Sequence, residues 1–482
     1  MAIRNWDALT SHGNVEGRRM VAAILQAGLE AADPYERVRQ MVRVEGRHLL
    51  VGGPEFDPIG SPVRGATRYD LDRLGRIIVL GAGKGCQRVA KALEDALGDR
   101  LSGGHVIDKK GDEPPRLRRI EVTLGGHPTP DADGVRGCAR MLEWTRDLRA
   151  EDLVFTVGSS GFSSLLTLPV EGVSLADVER TVYLLQIERG MPTSELSPIR
   201  NHLDVLKGGR LAAHILPAQA IHILAKPPQP WETLIYHNTW VHTFPDCSTY
   251  ADAVANIKAW GAWDDVPESV RRHLERADPA LETIKPEVYL TYPHRIFCTF
   301  EAGEATWATP RRKARELGLE AVLLGANLNV EASQAGRYAA AIAKTIETHA
   351  QPFAPPVALI GGGEMLVTVG QERGIGGRNQ EWALSAAMQI AGSESIVMGS
   401  VDSDGTDGPG SQYASGVHYP TLAGGLVDGH TAARAREHEI DLREALRRHD
   451  TTPTLLALDS GVLSPQSTGL QDLSVILVAG RR

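Results

Sequence analysis

Cysteine is scarce in this chain: four residues in 482 (Cys86, Cys138, Cys247 and Cys298), widely separated and with no C-x-x-C pair. That excludes a disulfide framework and a structural zinc site, and the thiols are expected to be reduced and mostly buried. Long apolar runs are also missing. Nothing approaches the ~20 residues needed to span a bilayer, and the opening MAIRNWDALTSHG lacks the apolar stretch of a signal peptide. No membrane partner is expected, and the cytoplasm is the expected compartment. Positive charge is in deficit, with 51 Lys and Arg against 60 Asp and Glu and a formal net charge of −9. Nucleic-acid binders usually carry a basic face, so no nucleic acid is expected as a partner, while local sites for small anions remain compatible. Internal repeats and low-complexity tracts are absent as well.

The remaining composition, 42% hydrophobic and 23% charged, is that of a chain folding by ordinary burial. Its length exceeds the roughly 250–300 residues at which one core stops growing, so two domains are expected. Residues 18–32 place apolar side chains at helical spacing and stop before Asp33-Pro34. From residue 76 the pattern is strand, glycine-rich turn, helix: RIIVL, GAGKG, CQRVAKALEDAL. Further short β-branched runs stand at 104–107, 153–157, 222–224, 321–324, 357–360 and 395–398. Such runs alternating with helices indicate an α/β fold with a mainly parallel sheet covered on both faces. Proline-rich stretches interrupt at 226–231 and 351–356. Residues 235–263 have no clean period and are expected to form a long loop or lid. A boundary near Lys285-Pro286 gives domains 1–288 and 289–482.

Several segments have the composition of anion sites. Gly81, Gly83 and Lys84 lie in a turn between a strand and a helix, where glycines admit a phosphate, helix amides face it and the lysine adds charge. Asp108, after the next strand, could mimic a ribose-binding acid; tight packing is the alternative role for these glycines. Ser160 and Ser163 follow LVFTV in a second such turn. Arg200, Lys207 and Arg210 put three cations within eleven residues, suited to a carboxylate or phosphate, or to a solvated helix face. Arg378 and Asn379 follow GIGG before a strong helix, another anion site or else a buried Arg–Glu pair. Asp404 and Asp407 cluster after a strand, as Mg²⁺ ligands can, or as a plain acidic turn. His237 and His242, five apart, share no helical face and are not expected to bind metal.

Together these segments resemble the glycerate 2-kinase family, two-domain enzymes with a C-terminal MOFRL domain. The resemblance rests on GLEAADP at 28–34, GAGKG at 81–85, GGHPTPD at 125–131, IRNHLDVLKGGRLA at 199–212, GGGEMLVTVG at 361–370, GIGGRNQEWAL at 374–384 and DGTDGP at 404–409. It implies a Rossmann-like parallel-sheet N-terminal domain, a smaller MOFRL-type α/β domain, and a cleft between them where ATP, Mg²⁺ and glycerate meet. It makes Lys84 and Arg378 the catalytic candidates; Gly81, Gly83, Ser160, Ser163, Arg200, Lys207, Arg210 and Asn379 substrate or phosphate ligands; and Asp404 and Asp407 metal ligands.

The chain also departs from the family. The usual S-G-G-G-S loop reads SSGFS at 159–163, with Phe162 where bare backbone is expected. The usual S-D-V-P-G-D reads AKPPQP at 225–230, without either acid, and Asp204 and Asp246 are the candidates to replace them. The family's later S-G-P-T and T-G-P-T-G-T-N elements are not recognisable at 235–245 and 463–469. The leading expectation is ATP-dependent phosphorylation of glycerate or a related hydroxy or sugar acid, with a homodimer as an option. The alternatives are a non-kinase enzyme on such an acid, a weakly active anion sensor, and an NAD(P)-dependent reductase.

Overall fold

The computed structural model describes residues 2–111, 117–301, 303–370, 372–410 and 418–480. The chain forms two compact units, one of Pro34–Ala302 and the other of Met1–Asp33 together with Gly303–Arg482.

The first unit holds a small antiparallel sheet, β1 (Val42–Glu45), β2 (His48–Val51) and β3 (Thr67–Asp70), beside a large parallel one. The large sheet is built from β4 (Ile77–Ala82), β5 (Gly103–Lys109), β6 (Ile120–Gly125), β7 (Leu153–Gly158), β8 (Gln219–Leu224) and β9 (His294–Cys298). Its spatial order among the described residues is β6-β5-β4-β7-β8-β9, every pair parallel. Renumbered from one, that order is 3-2-1-4-5-6, the doubly wound arrangement of dinucleotide-binding folds, whose direction of winding reverses between β4 and β7. The strands are apolar throughout because both faces are covered: all six residues of β4 and of β7 are buried. The helix Cys86–Leu97 buries Cys86, Val89, Ala90, Leu93 and Leu97, the 3-and-4 spacing of one face. Strand β9 closes the sheet, so a boundary at 288 would detach it.

The second unit contains β10 (Glu320–Leu328), β11 (Val357–Gly363), β12 (Ile396–Asp402), β13 (Gly424–Asp428), β14 (Gly461–Val462) and β15 (Asp472–Val478), ordered β10-β11-β15-β12-β13-β14. Here the expectation of a mainly parallel sheet fails. Only β10 and β11 pair in parallel among the described residues; β15 enters between β11 and β12 antiparallel to both. Fully buried strands read as continuous apolar runs in either direction, so direction was not visible in the run itself.

The helix Val15–Ala31, capped by the Asn14 side chain, packs on this second sheet rather than on the first. Val21, Ile24 and Leu25 share a core with Val397, Val475 and Leu477, and a Cβ at Gly17 would stand 2.6 Å from a Val397 methyl. Arg18 on the same helix is fully buried; its Nε donates to Asp428 Oδ2 at 2.6 Å and its NH2 to Thr431 and Ser460 hydroxyls. Residues 235–263 are not a lid: they contain the helix Tyr250–Ala259, and Val241, His242, Phe244 and Asp246 are buried. All four cysteines are free, with Cys247 alone exposed. Among the described residues, no helix is long and apolar enough to cross a membrane.

Arg18→Ala should destabilise the protein by about 3–5 kcal/mol in urea denaturation, because it strands a buried carboxylate, whereas Arg18→Met combined with Asp428→Leu should cost less than Arg18→Ala alone.

Candidate functional site

At the point where the winding of the first sheet reverses, two strand-to-helix turns lie side by side at the carboxyl ends of β4 and β7, where ligands of such sheets bind. They are laced together. The Lys84 amide donates to the Ser160 carbonyl at 2.7 Å and the Ser159 hydroxyl to the Lys84 carbonyl at 2.8 Å. Gly83, in the left-handed region at φ +127°, leaves no room for a side chain: a Cβ would lie 2.2 Å from Ser159 Oγ, and one at Gly81 would meet the Val157 carbonyl at 2.6 Å.

The amides of the first turn are already used. Gly83 donates to the Ile107 carbonyl and Cys86 to the Gly83 carbonyl, while Gly85 and Gln87 donate to the two oxygens of the buried Asp108 at 2.9 and 3.3 Å. Asp108 is therefore the carboxylate at this helix N-terminus and not a ribose-binding acid. Gly81 and Gly83 act here by close packing, not through an amide cradle for phosphate. The Lys84 side chain is half-buried and runs past Gly161: a Cβ at Gly161 would stand 3.1 Å from Lys84 Cγ and 2.8 Å from His127 Cδ2. His127 belongs to GGHPTPD but was not singled out from the sequence.

Phe162 does not fill the turn in which it stands. Its ring is 2% exposed and packs in the core of the first unit, tilted against His242 at 5.6 Å between centroids. The bulk that replaces the family's glycine points inward, and the 158–161 backbone stays bare, with Gly161 at φ +78°.

The cation-rich segment separates into scaffold and site. Lys207 is buried, its Nζ donating to Asp204 at 2.8 Å and to Thr167 Oγ1 at 3.0 Å. Arg210 donates through NH1 to the carbonyls of Asn201, Asp204 and Lys207 and through NH2 to that of Leu281. Lys207 is neutralised by Asp204, and Arg210 is tied down by backbone carbonyls, so both serve the scaffold. Asp204 is equally committed, accepting also from the Leu168 and Leu206 amides. Arg200 differs: it bonds Gln186 Oε1 at 2.6 Å, no carboxylate pairs with it among the described residues, and burial pushes it down to about 10. It lines a small cavity with Pro128, Ser163, Thr167, Asp204 and Lys207.

In the second unit, Arg378 is held between acids, Nε to Asp472 at 2.8 Å and NH2 to Asp402 at 3.0 Å. Burial alone would lower it, but the Asp402 and Asp472 charges outweigh burial and raise it. Asn379 donates to Asp472 and accepts from Ser400. Asp404 and Asp407 are not placed as metal ligands. Asp404 is fully buried and accepts from the Thr406 amide and hydroxyl. Asp407 accepts from the Asn379 and Gln380 amides, so it caps the helix Arg378–Gln389, and Gly377 is needed for its approach because a Cβ there would touch the carboxylate at 2.4 Å. Among the described residues, no group of three or more His, Cys, Asp or Glu could hold a metal ion. Asp472 and Asp402, which grip Arg378, were not singled out from the sequence.

A model for a domain of unknown function, DUF4147, matches residues 20–226, and the MOFRL family model matches 357–471. A glycerate 2-kinase of Pyrococcus horikoshii is 32% identical over 469 residues, covering 96% of this chain and 98% of its own. The chain belongs to the glycerate 2-kinase family. A D-glycerate 2-kinase of Thermotoga maritima is 33% identical over 410 residues, 84% of this chain and 91% of its own. A crystal structure of a glycerate kinase from Thermotoga maritima superposes with a TM-score of 0.70 at 29% identity, covering 96% of this chain and all of that one. Membership makes the chain an enzyme of the phosphotransferase class.

Burial raises Asp407 from 3.8 to about 6 despite the Arg378 charge. An acid whose folded value is raised binds its proton more readily in the native state, so its contribution favours folding at low pH and is lost as pH rises from about 4 to about 6. The stability of wild type relative to Asp407→Asn should therefore fall across that window and level off above it, in urea denaturation at stepped pH.

Proposed function

We propose that this enzyme transfers the γ-phosphoryl group of ATP to a hydroxyl of glycerate or of a related hydroxy or sugar acid. The observation that carries this reading is the inward turn of Phe162. It leaves the 158–161 backbone uncovered at the carboxyl end of β7, beside Lys84, despite the changed loop sequence. The names of the relatives supply the substrate class.

Lys84 is the group suited to the transferred phosphoryl oxygens, since a loose transition state is stabilised chiefly by positioning and positive charge. Arg200 is suited to the substrate carboxylate: a guanidinium taken from water without a counter-acid gains most from an arriving anion. Arg378, oriented by two acids, is the second cation assigned to the reaction. Asp404 and Asp407 do not suit Mg²⁺, so no step is assigned to a metal held by them. The cytoplasm as compartment, and a homodimer as an option, belong to the same reading.

The first test is calorimetric titration with ATP, followed by ADP release with glycerate and a panel of hydroxy and sugar acids. Saturable ATP binding that Lys84→Ala weakens is expected. No ATP binding, together with binding of the acid alone, would replace this reading with a non-kinase enzyme on the same acid. Lys84→Ala should lower turnover ~100-fold or more, as removal of one donor to developing charge does. Arg378→Ala should lose turnover and stability together, because Asp402 and Asp472 are then left to repel. Arg200→Ala should lower kcat/KM for the acid by ~10- to 100-fold, the value of one hydrogen bond to a charged group.

A further inference from the structure

A chain of four side chains runs through the first unit beside Arg200. Ser163 Oγ lies 2.6 Å from His242 Nε2, His242 Nδ1 lies 3.0 Å from Asn201 Oδ1, and Asn201 Nδ2 donates to Asp246 Oδ2 at 2.9 Å. His242, Asn201 and Asp246 are buried, and Ser163 is half-buried on the cavity shared with Arg200.

The polarity of this chain follows from its far end. Asp246 is anchored by the Ser248 amide and hydroxyl and accepts from Asn201 Nδ2. The amide nitrogen of Asn201 must therefore face Asp246, which turns its oxygen toward His242. That oxygen only accepts, so His242 carries its proton on Nδ1 and presents a bare Nε2. The Ser163 hydroxyl must donate to it, leaving its oxygen lone pairs facing a cavity of about 10 Å³, room for one water beside Arg200 until a ligand widens it. Burial, with Lys207 and Arg200 nearby, pushes His242 well below the ordinary histidine range, so the ring rests neutral and can hold a proton only in passing, while an anion in the cavity answers Arg200.

Building on the kinase reading, we propose that Ser163 and His242 form the proton acceptor for the substrate hydroxyl, with Asn201 and Asp246 as positioning residues. The nearby acids are otherwise engaged: Asp108 caps a helix, Asp204 neutralises Lys207 and Asp246 holds Asn201. As the substrate oxygen bonds to phosphorus, its O–H bond breaks and the proton passes to Ser163 Oγ. The proton of Ser163 passes to Nε2, giving an imidazolium that still donates to Asn201. The bond from phosphorus to the bridging oxygen breaks with its electron pair leaving on ADP. The proton afterwards returns to solvent by the same path. Nucleophile, base and orienting group within hydrogen-bond reach is the general signature of an activated hydroxyl.

The test has two arms on the full-length enzyme. In the first, ¹⁵N-histidine NMR of the wild type, with the His242 signals assigned by their loss in His242→Gln, reads the tautomer without any substrate. A proton on Nδ1, redistributed in Asp246→Ala, is expected; a proton on Nε2 overturns the proposal. In the second, ADP release is measured with ATP and glycerate. His242→Gln keeps an acceptor for Ser163 but cannot take a proton, so it should lose kcat ~100-fold or more with KM little changed, the value of a general base, as should Ser163→Ala. Ser163→Thr, which keeps the hydroxyl, should recover much of the loss. Wild-type turnover in His242→Gln overturns the relay. Failure of the kinase reading appears separately, as a wild type that releases no ADP, and the tautomer then still decides whether the relay is built as described.

Discussion

A charge removed from water has to be answered by another, and that requirement sorts this molecule into scaffold and site. Lys207 is answered by Asp204 and Arg18 by Asp428. Helix N-termini obey the same demand: the amides heading Cys86–Leu97 find Asp108, and those heading Arg378–Gln389 find Asp407. Two glycine-rich turns that look built for an external anion are thus each completed by an internal one. Arg200, half-buried beside a cavity, has no acid paired to it among the described residues and, unlike Arg210, no ring of carbonyls around it, which makes it a place where a ligand's charge gains.

The two turns of the first unit show how a changed loop can keep its geometry. The bond from the Lys84 amide to the Ser160 carbonyl and that from the Ser159 hydroxyl to the Lys84 carbonyl fix one turn against the other, so their shape does not depend on every glycine of the family's loop being present. Phe162 is accommodated because its position faces the core, where its ring joins Leu165, Leu166 and Phe244. Position 161, which faces Lys84 and His127, remains glycine.

Much of the first unit was legible in the sequence. The strand runs, the turn glycines and the helix Cys86–Leu97 all follow from local periodicity, and strand order follows from the βα grammar once the winding is known. What was not legible depends on long-range partners. Asp108 stands twenty-three residues from the amide it caps, and Asp407 twenty-eight from its own. The commitment of Lys207 did have a local signal, an aspartate three residues earlier. His242 sat in a segment dismissed for want of periodicity, yet its apolar neighbours Val241 and Phe244 marked a buried stretch, in which a polar ring needs partners.

The second sheet carries a consequence for how the protein is made. Strand β15, which follows all its fellows in chain order, fills the middle of the sheet between β11 and β12, and the helix Val15–Ala31, made before any of them, packs against it. During synthesis the first unit can finish as soon as β9 has emerged, while the opening helix waits with its apolar face and Arg18 unmatched until the other end arrives. The second sheet therefore cannot close until β15 has been made, and the apolar face of the early helix stays exposed until then.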